Sequence, residues 1–180
     1  MRLKETGKNR ALVKFNESQI QSAVGSSTNY TAKLRFTITD NGNNWSSNGR
    51  PITIHRLTTD WSEGNGYISG NTPSDRGTGN GATWNCAVDS NIHNQQTDCT
   101  ASWDMLTSYP FITTPTDTKT ITNSQSGVVE FDVTSDIQSF LSGTPNYGWI
   151  VKKQDETQSG LVSFGTKESG STPQLIITPL

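Results

Sequence analysis

What this sequence has least of is uninterrupted apolar chain. Its longest hydrophobic runs, such as Leu175 to Ile177, are a small fraction of the roughly 20 residues that a membrane-spanning helix needs, so no helix is expected to cross a bilayer. Charge is scarce as well: 17% of the 180 residues are charged and the formal net charge is -2, with a pI of about 5.6. Such a chain has no basic field to gather phosphates, which excludes nucleic acid as an ordinary partner. Catalytic equipment is thin. Histidine is limited to His55 and His93, the Gly-x-Ser-x-Gly nucleophile turn is absent, and no activated nucleophile is positioned for a triad. Asp60 and Glu63, three residues apart in a turn, do not by their spacing form the flanking carboxylate pair of a glycosidase. An enzyme acting on polysaccharide is therefore the weakest of the functional readings.

Cysteine occurs twice, as Cys86 and Cys99 in one polar segment. Zinc would need more ligands than His93 supplies between them. A disulfide closing a long loop is the better reading, and it points to an oxidising, extracellular compartment. A loop of that size stabilises the fold by about 3 kcal/mol through lost unfolded-state entropy. The sequons at Asn16, Asn29 and Asn44 agree with secretion but arise easily in a chain this rich in Asn, Ser and Thr. The opening residues, MRLKETGKNR, are charged and show no apolar leader core.

What is present is alternation. ALVKF (11–15), TAKLRFTIT (31–39) and PITIHRL (51–57) place apolar residues at every second position, with Leu34, Phe36 and Ile38 on one face. The segments 117–122, 127–134, 147–153, 160–166 and 173–180 add short strands separated by turns. Asn-Gly in the stretch DNGNNWSSNGR marks a hairpin. This spacing predicts an all-β chain: one antiparallel, jelly-roll-like β-sandwich domain over residues 1–180. One segment breaks the period. In TSDIQSFLSG, Thr134 or Ser135 can cap a helix, Ile137, Phe140 and Leu141 fall on one face, and Gly143 ends it. That predicts one short helix lying as a lid over an end of the sandwich. Between Asp60 and Tyr109 the chain dissolves into glycine, asparagine and serine and is expected to be a largely irregular wrap.

The order and spacing of NRALVKF, TAKLRFTIT, ITIHRLTTDWSEGNG, GATWN, VVEFDVTSDIQSFLSG, NYGWIVKK, SFGTKES and PQLIIT resemble the DNRLRE-type domains, which are similar to disaggregatase-related and alginate-binding modules. The resemblance implies a secreted, non-catalytic jelly-roll module carried on large surface proteins, in some members binding acidic polysaccharide. Relative to that pattern the chain lacks a first strand, which implies an open edge facing ALVKF.

From this follow the functional expectations. The leading one is a non-catalytic extracellular or cell-surface module for adhesion or polysaccharide binding within a larger assembly. The alternative is a self-assembling structural subunit of a filament or virion, joined to neighbouring copies or domains by strand addition. Trp45 at the hairpin tip, Tyr67 and Tyr109 are candidate rings for stacking on sugars. Lys152 and Lys153 are the local patch a polyanion would need. Trp61, Trp84 and Trp103 are read as anchors beneath the loop, and Trp149 and His55 as strand residues without a functional role. No cofactor is required. A structural calcium ion is the candidate metal, with Asp60, Glu63, Asp75 and Asp89 as its hard oxygen ligands, although no EF-hand spacing orders them.

Overall fold

The computed structural model describes residues 1–4, 8–65, 77–94 and 96–180. Among them the elements follow in the order β1 (Arg2–Leu3), β2 (Ala11–Val13), α1 (Glu17–Val24), β3 (Tyr30–Asn41), β4 (Arg50–Arg56), β5 (Cys86–Asp89), β6 (Cys99–Ser102), β7 (Asp117–Ile121), β8 (Gly127–Asp132), α2 (Thr134–Leu141), β9 (Trp149–Lys153), β10 (Val162–Phe164) and β11 (Gln174–Pro179). The chain forms two compact units: Met1–Arg56 with Thr114–Leu180, and Leu57–Thr113.

The first unit is the expected antiparallel sandwich. One sheet has the order β1-β10-β3-β11, with β8 also paired to β3, and the other runs β2-β9-β4-β7. The period-2 reading of β3 holds: Ala32, Leu34 and Phe36 are fully buried while Lys33 and Arg35 between them point outward. Ile52, Ile54, Trp149 and Val151 of the second sheet meet Leu34, Phe36, Phe131 and Phe164 of the first in one core. Phe36 contacts Phe131 edge-on at 6.0 Å and Phe164 at 5.4 Å. β2 stands at one edge of the second sheet, where an open edge is expected. It is three residues long, and short edges limit pairing with foreign strands.

Two helices are present where one was expected. α2 occupies the predicted segment, but neither Thr134 nor Ser135 caps it. Asp132 accepts the Thr134 N–H at 2.9 Å, and the Thr134 hydroxyl accepts the Ala32 N–H at 2.9 Å instead, tying the helix to β3. α1 is the addition. Asn16 caps it by accepting the Ser18 N–H at 2.9 Å, Ile20 and Val24 bury one face, and Gly25 closes it at φ 58°.

A buried carboxylate organises the helix end of the sandwich. Asp136 on α2 accepts hydrogen bonds from the Trp149 indole N–H at 2.7 Å and the Thr116 hydroxyl at 2.7 Å, and Arg56 Nη1 lies 3.6 Å away. Phe140, one turn further along α2, packs edge-on against the same indole at 5.5 Å. Removing the carboxylate leaves the buried Trp149 indole N–H without an acceptor and the half-buried Thr116 and Arg56 without their partner. Asp136→Ala is expected to lower the unfolding free energy by about 3 kcal/mol in urea denaturation; a loss below about 0.5 kcal/mol would show that the network is dispensable.

Candidate functional site

The unit Leu57–Thr113 is where the sequence placed most of its candidate ligand contacts. Among its described residues the regular structure is one small ladder, β5 with β6. The expected disulfide joins those strands: Cys86 and Cys99 are bonded, with Cα atoms 5.1 Å apart. The Gly81↔Asp89 bridge and the bonds Ser62 N–H to Ala87 O (3.1 Å) and Ala82 N–H to Ser62 O (2.7 Å) gather the flanking chain onto the ladder. Trp103 Nε1 donates to Thr83 O at 2.9 Å. Trp61, Trp84 and Trp103 are only half-buried; among the described residues the buried apolar side chains of this unit are Leu57, Cys86, Ala87, Met105 and Phe111. The tryptophans are therefore rim anchors rather than core plugs.

At the C-terminal end of the unit a run of apolar side chains stands in water. Leu106 is 47% exposed, Tyr109 41% and Ile112 41%. The Tyr109 ring stacks on Phe111, centroids 5.0 Å apart and planes 21° from parallel. Phe111 itself is buried and bridged to Leu57, and the Thr58 N–H donates to Pro110 O at 2.9 Å. Tyr109 thus presents a ring whose backing is fixed. The turn before it is organised by one carboxylate: Asp104 accepts the N–H groups of Leu106 (2.6 Å), Thr107 (3.1 Å) and Ser108 (3.2 Å) and the Thr107 hydroxyl. These donors, the Thr107 hydroxyl foremost, hold its pKa down at about 2.

The other candidates fall elsewhere. Tyr67 and Asp75 lie outside the described residues. Trp45, expected at an exposed hairpin tip, is fully buried. Its indole N–H donates to Asn41 Oδ1 at 2.9 Å, and its ring lies so close over Gly160, at φ 120°, that a Cβ there would collide with it. A ring with no exposed face cannot stack on a sugar. Lys153 is also buried, at 2% exposure. Its ammonium donates to the carbonyls of Lys4 (3.2 Å), Gly160 (3.4 Å) and Gln158. Alternation explains this, because Lys153 shares a strand face with Trp149 and Val151. Lys152 is half-buried and donates to Lys153 O at 2.7 Å, and burial lowers its pKa. The pair is thus not a solvent-facing basic patch. Of the proposed calcium ligands, Asp60 accepts the Trp61 N–H, Glu63 is exposed, and Asp89 is buried and accepts the Asn91 N–H at 3.0 Å. Among the described residues no three of His, Cys, Asp and Glu converge as a metal site.

Sequence reasoning missed the apolar company of Tyr109. The signal was in DMLTSYPFIT, four apolar side chains and a tyrosine in ten residues with no strand alternation. It also missed a charge asymmetry. Leu57–Thr113 carries six carboxylates (Asp60, Glu63, Asp75, Asp89, Asp98, Asp104) against the single basic residue Arg76.

Residues 92–179, just under half of the chain and including Tyr109, match the model of carbohydrate-binding module family 96. That stretch is carbohydrate-binding-module-like. A comparison with curated proteins finds no match. No helix among the described residues is long and apolar enough to cross a membrane.

Because the pKa of Asp104 is lowered in the folded state, its contribution to the turn is complete above the ordinary carboxylate value of 3.8 and is lost as pH falls through about 2. The amide resonances of Leu106, Thr107 and Ser108 are therefore expected to titrate together with a midpoint near 2 and to lose exchange protection below it. A common midpoint near 4 would show that the carboxylate is not engaged.

Proposed function

We propose that this chain is a non-catalytic, extracellular glycan-binding module, acting in adhesion or polysaccharide capture within a larger surface assembly, and that Tyr109 is its stacking ring. One observation carries the reading: within the stretch that matches a carbohydrate-binding module family, an aromatic ring stands exposed with its back supported by Phe111. Flat rings of this kind bind the apolar C–H faces of pyranoses while their polar edges stay wet. The disulfide fits an oxidising location, and the sequence's resemblance to DNRLRE-type domains is in keeping with the same role.

The glycan we assign to Tyr109 is uncharged. Acidic polysaccharide is what the resemblance favours, but six carboxylates against one arginine surround the ring's own unit with negative potential, and Lys152 and Lys153 are turned to backbone carbonyls. With that excess of carboxylates, and a Debye length of about 8 Å at physiological salt, the unit offers a polyanion no electrostatic attraction of its own.

Affinity electrophoresis through gels containing xylan, mannan, β-glucan or alginate, each with and without calcium, tests this. At least one neutral polysaccharide is expected to retard the protein. Tyr109→Ala should weaken that retention about tenfold while keeping the native circular dichroism spectrum, its melting temperature falling only by the lost stacking on Phe111. Equal retention of the two proteins, or retention by alginate alone, would overturn the assignment.

A further inference from the structure

An open groove of about 510 Å³ lies at the C-terminal ends of α1 and α2, within the size range of small-molecule sites. Its polar lining residues include Gln21, Gln138, Ser27 and Thr28, the Gln21 amide also donating to Glu17 Oε1 at 3.3 Å; Val24, Tyr30 and Leu141 are its apolar and aromatic members. Among the described residues, no Asp, Glu, Lys, Arg or His lines it.

That composition selects a chemistry. A charged ligand group entering this open groove would meet no counter-charge among the side chains that line it. Amides and hydroxyls each donate and accept, so they match sugar hydroxyls in either sense, while the apolar members suit the C–H side of a pyranose ring. The helix ends add a second selection. α1 finishes at Val24 with Gly25 as its cap, and α2 at Leu141 with Ser142 as its cap. Helix C-termini carry partial negative charge, which favours hydroxyl donors and opposes anions.

We propose that this groove is a second saccharide site, taking the end or a short stretch of an uncharged oligosaccharide. It lies wholly within the sandwich unit, shares no residue with the Tyr109 platform, and does not rest on the reading of that platform. The full chain binds glycan through two chemically matched but separate surfaces, so a polymer long enough to reach both is held by effective concentration as well as by either contact.

The test removes the platform first. The full-length Tyr109→Ala protein is titrated with cellohexaose, xylohexaose, mannohexaose and a hexauronate while the side-chain amide signals of Gln21 and Gln138 and the backbone amides of Ser27 and Thr28 are followed by NMR. At least one neutral hexasaccharide is expected to shift all four saturably, and the hexauronate none. Adding Gln21→Ala and Gln138→Ala, both at exposed positions, should weaken the binding read at Ser27 and Thr28 about tenfold without changing the melting temperature. The proposal is overturned if no neutral hexasaccharide shifts these signals up to about 10 mM, if the hexauronate binds there as tightly, or if the double substitution leaves affinity unchanged. Because the platform ring is absent throughout, failure of the groove leaves the Tyr109 reading standing, and the converse holds in the native chain.

Discussion

The sandwich depends on one buried carboxylate. Asp136 collects the Trp149 indole from β9, the Thr116 hydroxyl from the chain entering β7, and the Arg56 guanidinium from the end of β4. A carboxylate is expensive to bury, and it is tolerable here because hydrogen bonds replace the water it loses. The geography of those partners matters more than their number. Arg56 is the last residue of the sandwich before the excursion that begins at Leu57, and Thr116 lies just after the chain returns at Thr114. The Thr116 N–H also donates to Ile54 O at 2.8 Å. The ends of the interrupted sandwich are therefore held together by the sandwich itself. With its ends fixed, a long excursion adds a closure cost that grows only logarithmically with its length.

A second polar network fixes the loop between β9 and β10. Arg10 makes a two-pronged ion pair with Glu156 at 2.9 and 2.8 Å, Arg50 donates to Ser159 O at 2.7 Å, and Lys153 reaches the carbonyls of Gln158 and Gly160. Three cations are spent on this one connection, and Gly160 near its end admits the Trp45 ring into the core. The basic residues of this region thus serve the interior. This is the physical reason that the sequence's most obvious polyanion patch is not a patch.

Legibility in the sequence tracked how local the deciding physics was. Strand alternation is local, and it located β3, β4, β8, β9 and β11 to within a few residues; the fixed spacing of Cys86 and Cys99 likewise sufficed for the disulfide. Trp45 departs from the exposure expected of a hairpin tip because the distant Gly160 leaves room for its ring, while neighbouring Asn41 and distant Asn123 bond its indole and backbone N–H groups. Lys153 was readable in principle: the alternation that buried Trp149 and Val151 assigns it the same face, but charge was allowed to override period. α1 escaped because its stripe is only Ile20 and Val24 in a polar segment, and the asparagine that caps it also begins a sequon. Tyr109 was legible as a ring in a polar loop. Its backing by Phe111 was not, since that stacking depends on the Leu57↔Phe111 bridge between residues far apart in sequence.

An irregular segment is an unpromising platform for a weak ligand, because ordering a loop on binding consumes much of the contact energy. The segment 104–112 avoids that cost by being ordered beforehand. Asp104 ties down three successive N–H groups and a hydroxyl; Met105 and Phe111 anchor the run by burial at either end of the exposed residues; and the Thr58–Pro110 hydrogen bond closes its base. On the proposed reading, a sugar would only displace water from a ring that is already ordered and 41% exposed. The same logic accounts for how the polar side chains of this unit are used. Asp60, Asp89, Asn91, Asn94 and Asp104 all accept nearby backbone N–H groups, so the residues that give the sequence its disordered look are the ones that hold its turns. Glycine and asparagine supply the path of the chain, carboxylates and amides fix it, and the Tyr109 ring stays partly exposed on its Phe111 backing.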